Sequence, residues 1–123
     1  MKKRLLSILL VLLTALTLLP LGALADDNNK CGENLTWNLD EIGILTISGT
    51  GDMYNYSSAY PAPWSAKNSD ICEITVGDGV TSIGDNAFHS CNAERVDLQG
   101  TSLVSIGKNA FSRCTMLTSI FIP

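Results

Sequence analysis

Few residues of this chain have side chains suited to chemistry. His89 is the sole histidine, and an imidazole is the usual general base near neutral pH. Such a base works only beside a nucleophile with its own activating partner, and the spacing around His89 assembles no such set. It is read as an exposed surface histidine. The four cysteines, Cys31, Cys72, Cys91 and Cys114, form no C-x₂₋₄-C pair, so with one histidine they make no zinc site. Asp52, Asp78 and Asp85 sit near glycines, but their spacing fits neither the EF-hand loop nor the nonapeptide calcium repeat. They are read as solvated turn residues. The sequence thus assigns no catalytic residue, metal or cofactor. Asn34-Leu35-Thr36 and Asn55-Tyr56-Ser57 match the glycosylation sequon, a pattern short enough to occur often by chance.

Aromatic side chains offer a different chemistry. Trp37, Tyr54, Tyr56, Tyr60 and Trp64 are clustered in one stretch, and exposed ring faces can stack on sugars. The competing reading is that these rings seal the end of a core, with hydroxyls turned to solvent or to a partner. Burial is the commoner use of such residues, and it is the reading preferred here.

The elements that position these residues begin after a leader. Met1-Lys2-Lys3-Arg4 is basic, Leu5–Leu19 is apolar apart from Ser7, Thr14 and Thr17, and Pro20 and Gly22 end the run before Ala23-Leu24-Ala25. This three-part layout predicts a secretory signal peptide over residues 1–25, cleaved after Ala25. A membrane span needs about 20 apolar residues, and Pro20 and Gly22 interrupt the stretch near that length. The remaining 98 residues suit one small domain and carry net charge −7 (5 basic against 12 acidic residues). That balance excludes nucleic acid and anionic lipid as partners, since it repels both. Cys31 lies six residues beyond Ala25, too far for a lipid anchor at the cleavage site. An exported compartment permits disulfides, and Cys31 with Cys72 is the candidate pair.

Internal repeats give the strongest signal. Val80-Thr-Ser-Ile-Gly-Asp-Asn-Ala-Phe-His-Ser-Cys91 recurs as Leu103-Val-Ser-Ile-Gly-Lys-Asn-Ala-Phe-Ser-Arg-Cys114, with Ile, Gly, Asn, Ala, Phe and Cys matched at a constant offset of 23. Alternating segments Ile74-Thr-Val76, Val96-Asp-Leu98 and Ile120-Phe-Ile122 predict strands with alternate residues inward. Val80 with Ile83, and Leu103 with Ile106, supply a second inward pair on the return path. The Asn-Ala-Phe-x-x-Cys string is predicted to form a short helical turn, with Ala, Phe and Cys against the core. One such coil cannot bury its own apolar face, so coils stack. Phe88 should then lie against Phe111 at about the strand spacing, roughly 4.8 Å. Cys91 and Cys114 occupy an inward position, where thiols are usually inert and parallel side chains seldom meet disulfide geometry.

The string V-T-S-I-G-x-N-A-F-x-x-C, with a strand ending Ile122-Pro123, resembles the BspA-like leucine-rich repeats of bacterial surface proteins. The resemblance is close over residues 71–123, and residues 26–70 resemble the cap that often precedes such repeats. It implies a secreted or cell-surface protein with adhesion or protein-binding roles and carries over no catalytic residue. The expected fold is a leucine-rich-repeat solenoid, β-rich with short helical turns, behind a β-hairpin cap. Its coils are placed at 71–95 and 96–119, with a third opening at 120–123. In the cap, Leu35, Trp37 and Leu39 alternate with polar residues, as do Leu45 and Ile47, which predicts a hairpin with one apolar face. Residues 51–70 lack clear periodicity and are read as an ordered loop over the first coil. The first repeat departs from the pattern: it is one residue shorter after Cys91 and lacks a counterpart of Leu117.

The outward strand positions form the predicted binding surface: Glu73 and Thr75, Arg95 and Asp97, then Ser119 and Phe121. Solenoids use such rows to hold partners, here a protein ligand or another host or bacterial surface macromolecule. Phe121 breaks the polar pattern and hints at a contact point. The alternative is a carbohydrate-binding module using the aromatic residues of the cap. Because at least three repeats are usually needed for stability, the chain is expected to be part of something longer or to be stabilised by a partner.

Overall fold

Short alternating segments, each unable to bury its apolar side alone, pair edge to edge into two sheets. Residues 29–98, 100 and 102–123 are described by the structure, a computed structural model. The expected leader, residues 1–25, lies outside them. One sheet has six strands in the order β1 (Lys30–Gly32), β2 (Leu35–Leu39), β3 (Ile44–Gly49), β5 (Glu73–Val76), β7 (Arg95–Asp97) and β9 (Ser119–Phe121). The other has three, β4 (Gly51–Asp52), β6 (Val80–Ile83) and β8 (Ser105–Ile106). No helix among the described residues is long and apolar enough to cross a membrane.

β2 and β3 form the expected antiparallel hairpin, from Leu35↔Gly49 to Leu39↔Leu45. Its turn is set by Asp40, whose Oδ1 accepts the backbone N–H groups of Ile42 and Ile44 at 3.0 and 2.9 Å. From β3 onward the pairing is parallel: β3 to β5, β5 to β7 and β7 to β9. The chain alternates between sheets, so each circuit lays one strand on each. Leu45, Ile47, Ile74, Val76, Val96 and Leu98 point inward from the six-stranded sheet and meet Val80 and Ile83 from the other, all buried.

The third side of each circuit is a turn, and here the expected helical turn is corrected. Residues 85–90 are not helical. Asn86 (φ 56°) and Ser90 (φ 62°) are left-handed, as are Asn109 (φ 58°) and Arg113 (φ 60°) one coil on. A right-handed helix cannot pass through two such residues. Successive i→i+3 bonds replace it: Ala87 N–H to Gly84 O, His89 N–H to Asn86 O and Cys91 N–H to Phe88 O. The turns are ladders as well, with N–H of Asn86, Phe88 and Ser90 donating to Lys108, Ala110 and Ser112 at 2.9, 2.8 and 2.8 Å.

Residues 51–70, expected as a covering loop, follow the path of a coil. Within them β4 pairs in parallel with β6, and Trp64 stacks on Phe88. The apparent gap in the first repeat is also filled. Glu94 N–H donates to Cys72 O, and Thr118 N–H donates to Glu94 O, each at 2.9 Å. Ala93 thereby takes the place of Ile71 before it and Leu117 after it, and it is buried.

Candidate binding surfaces

The six predicted surface residues fall into register. Glu73 pairs with Arg95 and Arg95 with Ser119, while Thr75 pairs with Asp97 and Asp97 with Phe121. Two rows therefore cross three parallel strands on the side opposite the core. Arg95 joins them: its Nε lies 3.4 Å from Glu73 Oε2, and its guanidinium carbon lies 5.2 Å from the centre of the Phe121 ring. Both contacts are solvent-accessible, so each contributes at most about 1 kcal/mol. Phe121 is 39% exposed beneath this cation. The sequence reading stopped at β5, whereas the rows continue through Ile44↔Glu73 and Thr46↔Thr75 into β3, then through Asn38↔Thr46 into β2. The alternation of Leu45 and Ile47 was the signal available for these outward positions.

The five aromatic candidates do not form one platform. Trp64 has no exposed surface, and its ring stacks on Phe88 at 5.4 Å with a 20° tilt. Phe88 stacks on Phe111 with the same separation and tilt, slightly more than the strand spacing. Trp37 and Tyr56 meet Trp64 edge-on at 5.8 and 5.9 Å. The Trp64 indole N–H donates to Ala87 O at 2.9 Å. Stacking of Trp64 on a sugar is thereby corrected, because the ring has no exposed surface and its N–H is bonded within the protein. Tyr54 and Tyr60 are exposed at 42% and 79%.

His89 is half-buried rather than fully exposed, with Nδ1 3.0 Å from Ser90 Oγ. Asp85 accepts the Lys108 N–H at 2.8 Å and Asp52 accepts the Thr81 hydroxyl at 2.5 Å, so both carboxylates tie one coil to the next. Among the described residues no three metal-binding side chains cluster.

All four cysteines are free, which corrects the Cys31–Cys72 pair. Cys31 lies in β1, and Cys72 lies just before β5, three strand positions across the sheet. Three spacings amount to roughly 14 Å, against at most about 7 Å between Cα atoms in a disulfide. Burial holds the Cys31 thiol up at about 12. Burial, with the neighbouring Cys114 adding to it and the Ala93 and Asn92 N–H groups opposing, puts Cys91 at about 11. The native state thus retains protons that the unfolded chain loses near pH 9. This contribution to stability is complete below pH 9 and declines as pH rises toward 11–12. Alkaline titration should show urea midpoints falling in that window. In a thiol-labelling experiment at pH 8, Cys72 should react first, with Cys31 and Cys91 protected until the protein unfolds. A Cys31–Cys72 cross-link seen by non-reducing mass mapping would contradict this placement.

Residues 65–123 match the family model described as the BspA type leucine rich repeat region (6 copies). Among solved structures, the chain is similar to the crystal structure of a leucine-rich repeat protein from Eubacterium ventriosum ATCC 27560, with 34% sequence identity and a TM-score of 0.67. The similarity covers 73% of this chain and 24% of that one, so the chain spans about a quarter of that protein's length. No curated protein matches the sequence. Through residues 65–123, where the repeated turns and parallel ladders lie, the chain belongs to the BspA-type leucine-rich repeat family.

Proposed function

We propose that this chain is an exported, non-catalytic interaction module that holds a protein partner against the outward face of its six-stranded sheet. In this reading residues 1–25 direct secretion, residues 26–70 cap the solenoid of stacked coils, and the protein works in adhesion at the cell surface or as a secreted product. The observation that carries the proposal is the register of Glu73, Arg95 and Ser119 beside Thr75, Asp97 and Phe121 across three parallel strands. Those strands give the face a rigid backbone, and Arg95 over Phe121 presents an arginine and an aromatic together, the residue types enriched at binding hot spots. The family supports protein binding, and no catalytic step is assigned.

The test is a binding screen of the full chain against purified secreted and surface proteins, followed by the double variant Arg95→Ala/Phe121→Ala. A partner of this face should lose at least about tenfold in affinity, the usual consequence of removing a hot-spot residue. Stability should change by at most about 2 kcal/mol, because both contacts removed are solvent-accessible. Val104→Ser, at an 82% exposed position outside the two rows, should leave binding intact. Equal affinity of the double variant for every partner found would place binding elsewhere.

A further inference from the structure

The coil containing Trp64 carries an insertion that its neighbours lack. Asp52 pairs with Ser82, 30 residues on, yet Trp64 stacks on Phe88, 24 residues on. Six extra residues must therefore fit between Asp52 and Trp64, and they bulge as a loop that includes Ser57–Pro61. The loop is held by its own bonds: Ser57 N–H donates to Tyr60 O at 3.0 Å, and Tyr60 N–H donates to Ser57 Oγ at 3.1 Å. Between this loop, the 3-10 helix Ser65–Asp70 and the turn of the next coil lies a pocket of about 220 Å³. It sits beside the turns, apart from the outward strand rows.

The lining has a definite chemistry. Ser57, Ser58, Ser65 and Ser90 bring hydroxyls, Asn68 an amide and His89 its ring, over a floor that includes Ala62 and Ala87. No carboxylate, lysine or arginine lines it, which disfavours metals, phosphates and other ions. Asn68 Nδ2 donates to His89 O at 3.2 Å, while its Oδ1 is buried with no partner among the described residues. The His89 ring is oriented by Ser90. Tyr60, 79% exposed, lies in the same loop just outside the lining, beside Pro61. Mixed donors and acceptors without charge over small apolar floor residues suit a sugar, with its hydroxyls and apolar C–H face. The volume is below the range of about 300–1,000 Å³ usual for drug-sized ligands, so it suits a single ring.

We propose that this pocket binds one ring of a neutral saccharide, with the hydroxyls of Ser57, Ser58, Ser65 and Ser90 bonding the ring hydroxyls and Tyr60 covering the ring at the lip. The site is independent of the strand face and uses only Tyr60 of the aromatic residues singled out in the sequence. The full chain should be titrated with the methyl glycosides of glucose, galactose, mannose and N-acetylglucosamine, following the NMR signals of His89, Ser90 and the Asn68 side-chain amide. At least one glycoside should shift these signals together and saturate. Tyr60→Ala should weaken that binding about fivefold, as loss of one ring contact implies. Ser58→Trp, made at an exposed position, should fill the mouth and abolish it. Both variants should keep the native spectrum elsewhere. If no glycoside moves these signals, or if Ser58→Trp binds as the parent does, the proposal is overturned. Unchanged affinity in Tyr60→Ala overturns the assignment of the lip.

Discussion

Trp64→Ala should destabilise the protein by about 4 kcal/mol, within the range found for truncating buried Trp or Phe. The indole has no exposed surface and is the first ring of the stack that continues through Phe88 and Phe111. Trp37 and Tyr56 press edge-on against it, so the cavity left by alanine would be walled by large rings that cannot collapse together. Ala87 O would also lose its bond from the indole N–H. Domain stabilities lie at about 5–15 kcal/mol, so much of the fold is at stake. Trp64→Phe retains a ring in the stack and loses chiefly the hydrogen bond and some packing, and should cost about 1–2 kcal/mol. Urea unfolding followed by circular dichroism measures both. A cost below about 1 kcal/mol for Trp64→Ala would show that the ring is not a structural rung.

Gly84→Ala should be nearly as damaging, for a reason that leaves no trace in side-chain contacts. A Cβ at Gly84 would fall directly on the carbonyl oxygen of Tyr54, a backbone atom of the preceding coil. That backbone cannot withdraw freely, because Met53 N–H is bound to Ser82 O and Tyr56 N–H to Asp85 O. Overpacking of this kind costs about 1–3 kcal/mol or more, and the fixed neighbour puts Gly84 at the upper end. For a domain of this size that corresponds to a fall in Tm on the order of 15 °C. Gly51→Ala is the contrast: its Cβ meets nothing within 4 Å, although the residue has φ +98°. Its cost is backbone strain of about 1–2 kcal/mol. Thermal unfolding that ranks Gly51→Ala as the worse variant would mean that the coils approach less closely at Gly84 than the structure shows.

These two residues mark how far the sequence was legible. Gly84 and Gly107 stood out through the 23-residue repeat, and the same alternation placed the inward and outward rows of β5, β7 and β9. The coil containing Trp64 was hidden for two physical reasons. Its insertion breaks the period, and its core positions hold Met53 and Trp64 where the next coil has Ile83 and Phe88. Packing asks for apolar volume at those places, not for a fixed residue type, so the coil survives while its sequence signature disappears. The family match likewise begins at residue 65, just beyond Trp64. The turns were misread because Asn86 and Ser90 adopt left-handed backbone conformations, which asparagine tolerates readily but serine does not announce. Ala93 was overlooked as the partner of Leu117 because the strand offset changes from 22 between β5 and β7 to 24 between β7 and β9. The pocket was invisible in sequence, since it depends on where the extra residues bulge.

That the described residues form one continuous stack, with the hairpin and the Trp64 coil supporting the repeats, is tested most directly by unfolding the chain in urea under two probes at once. Both tryptophans, Trp37 and Trp64, precede the repeats in the chain, so their fluorescence reports the hairpin end and its contact with Ala87 and Phe88. Far-ultraviolet circular dichroism reports the strands of every coil. A single cooperative unit gives coincident transitions with the same midpoint and slope, and coincidence is the expected result. Fluorescence that changes at a separate urea concentration, with circular dichroism following in its own transition, would show that the hairpin end and the repeats fold independently.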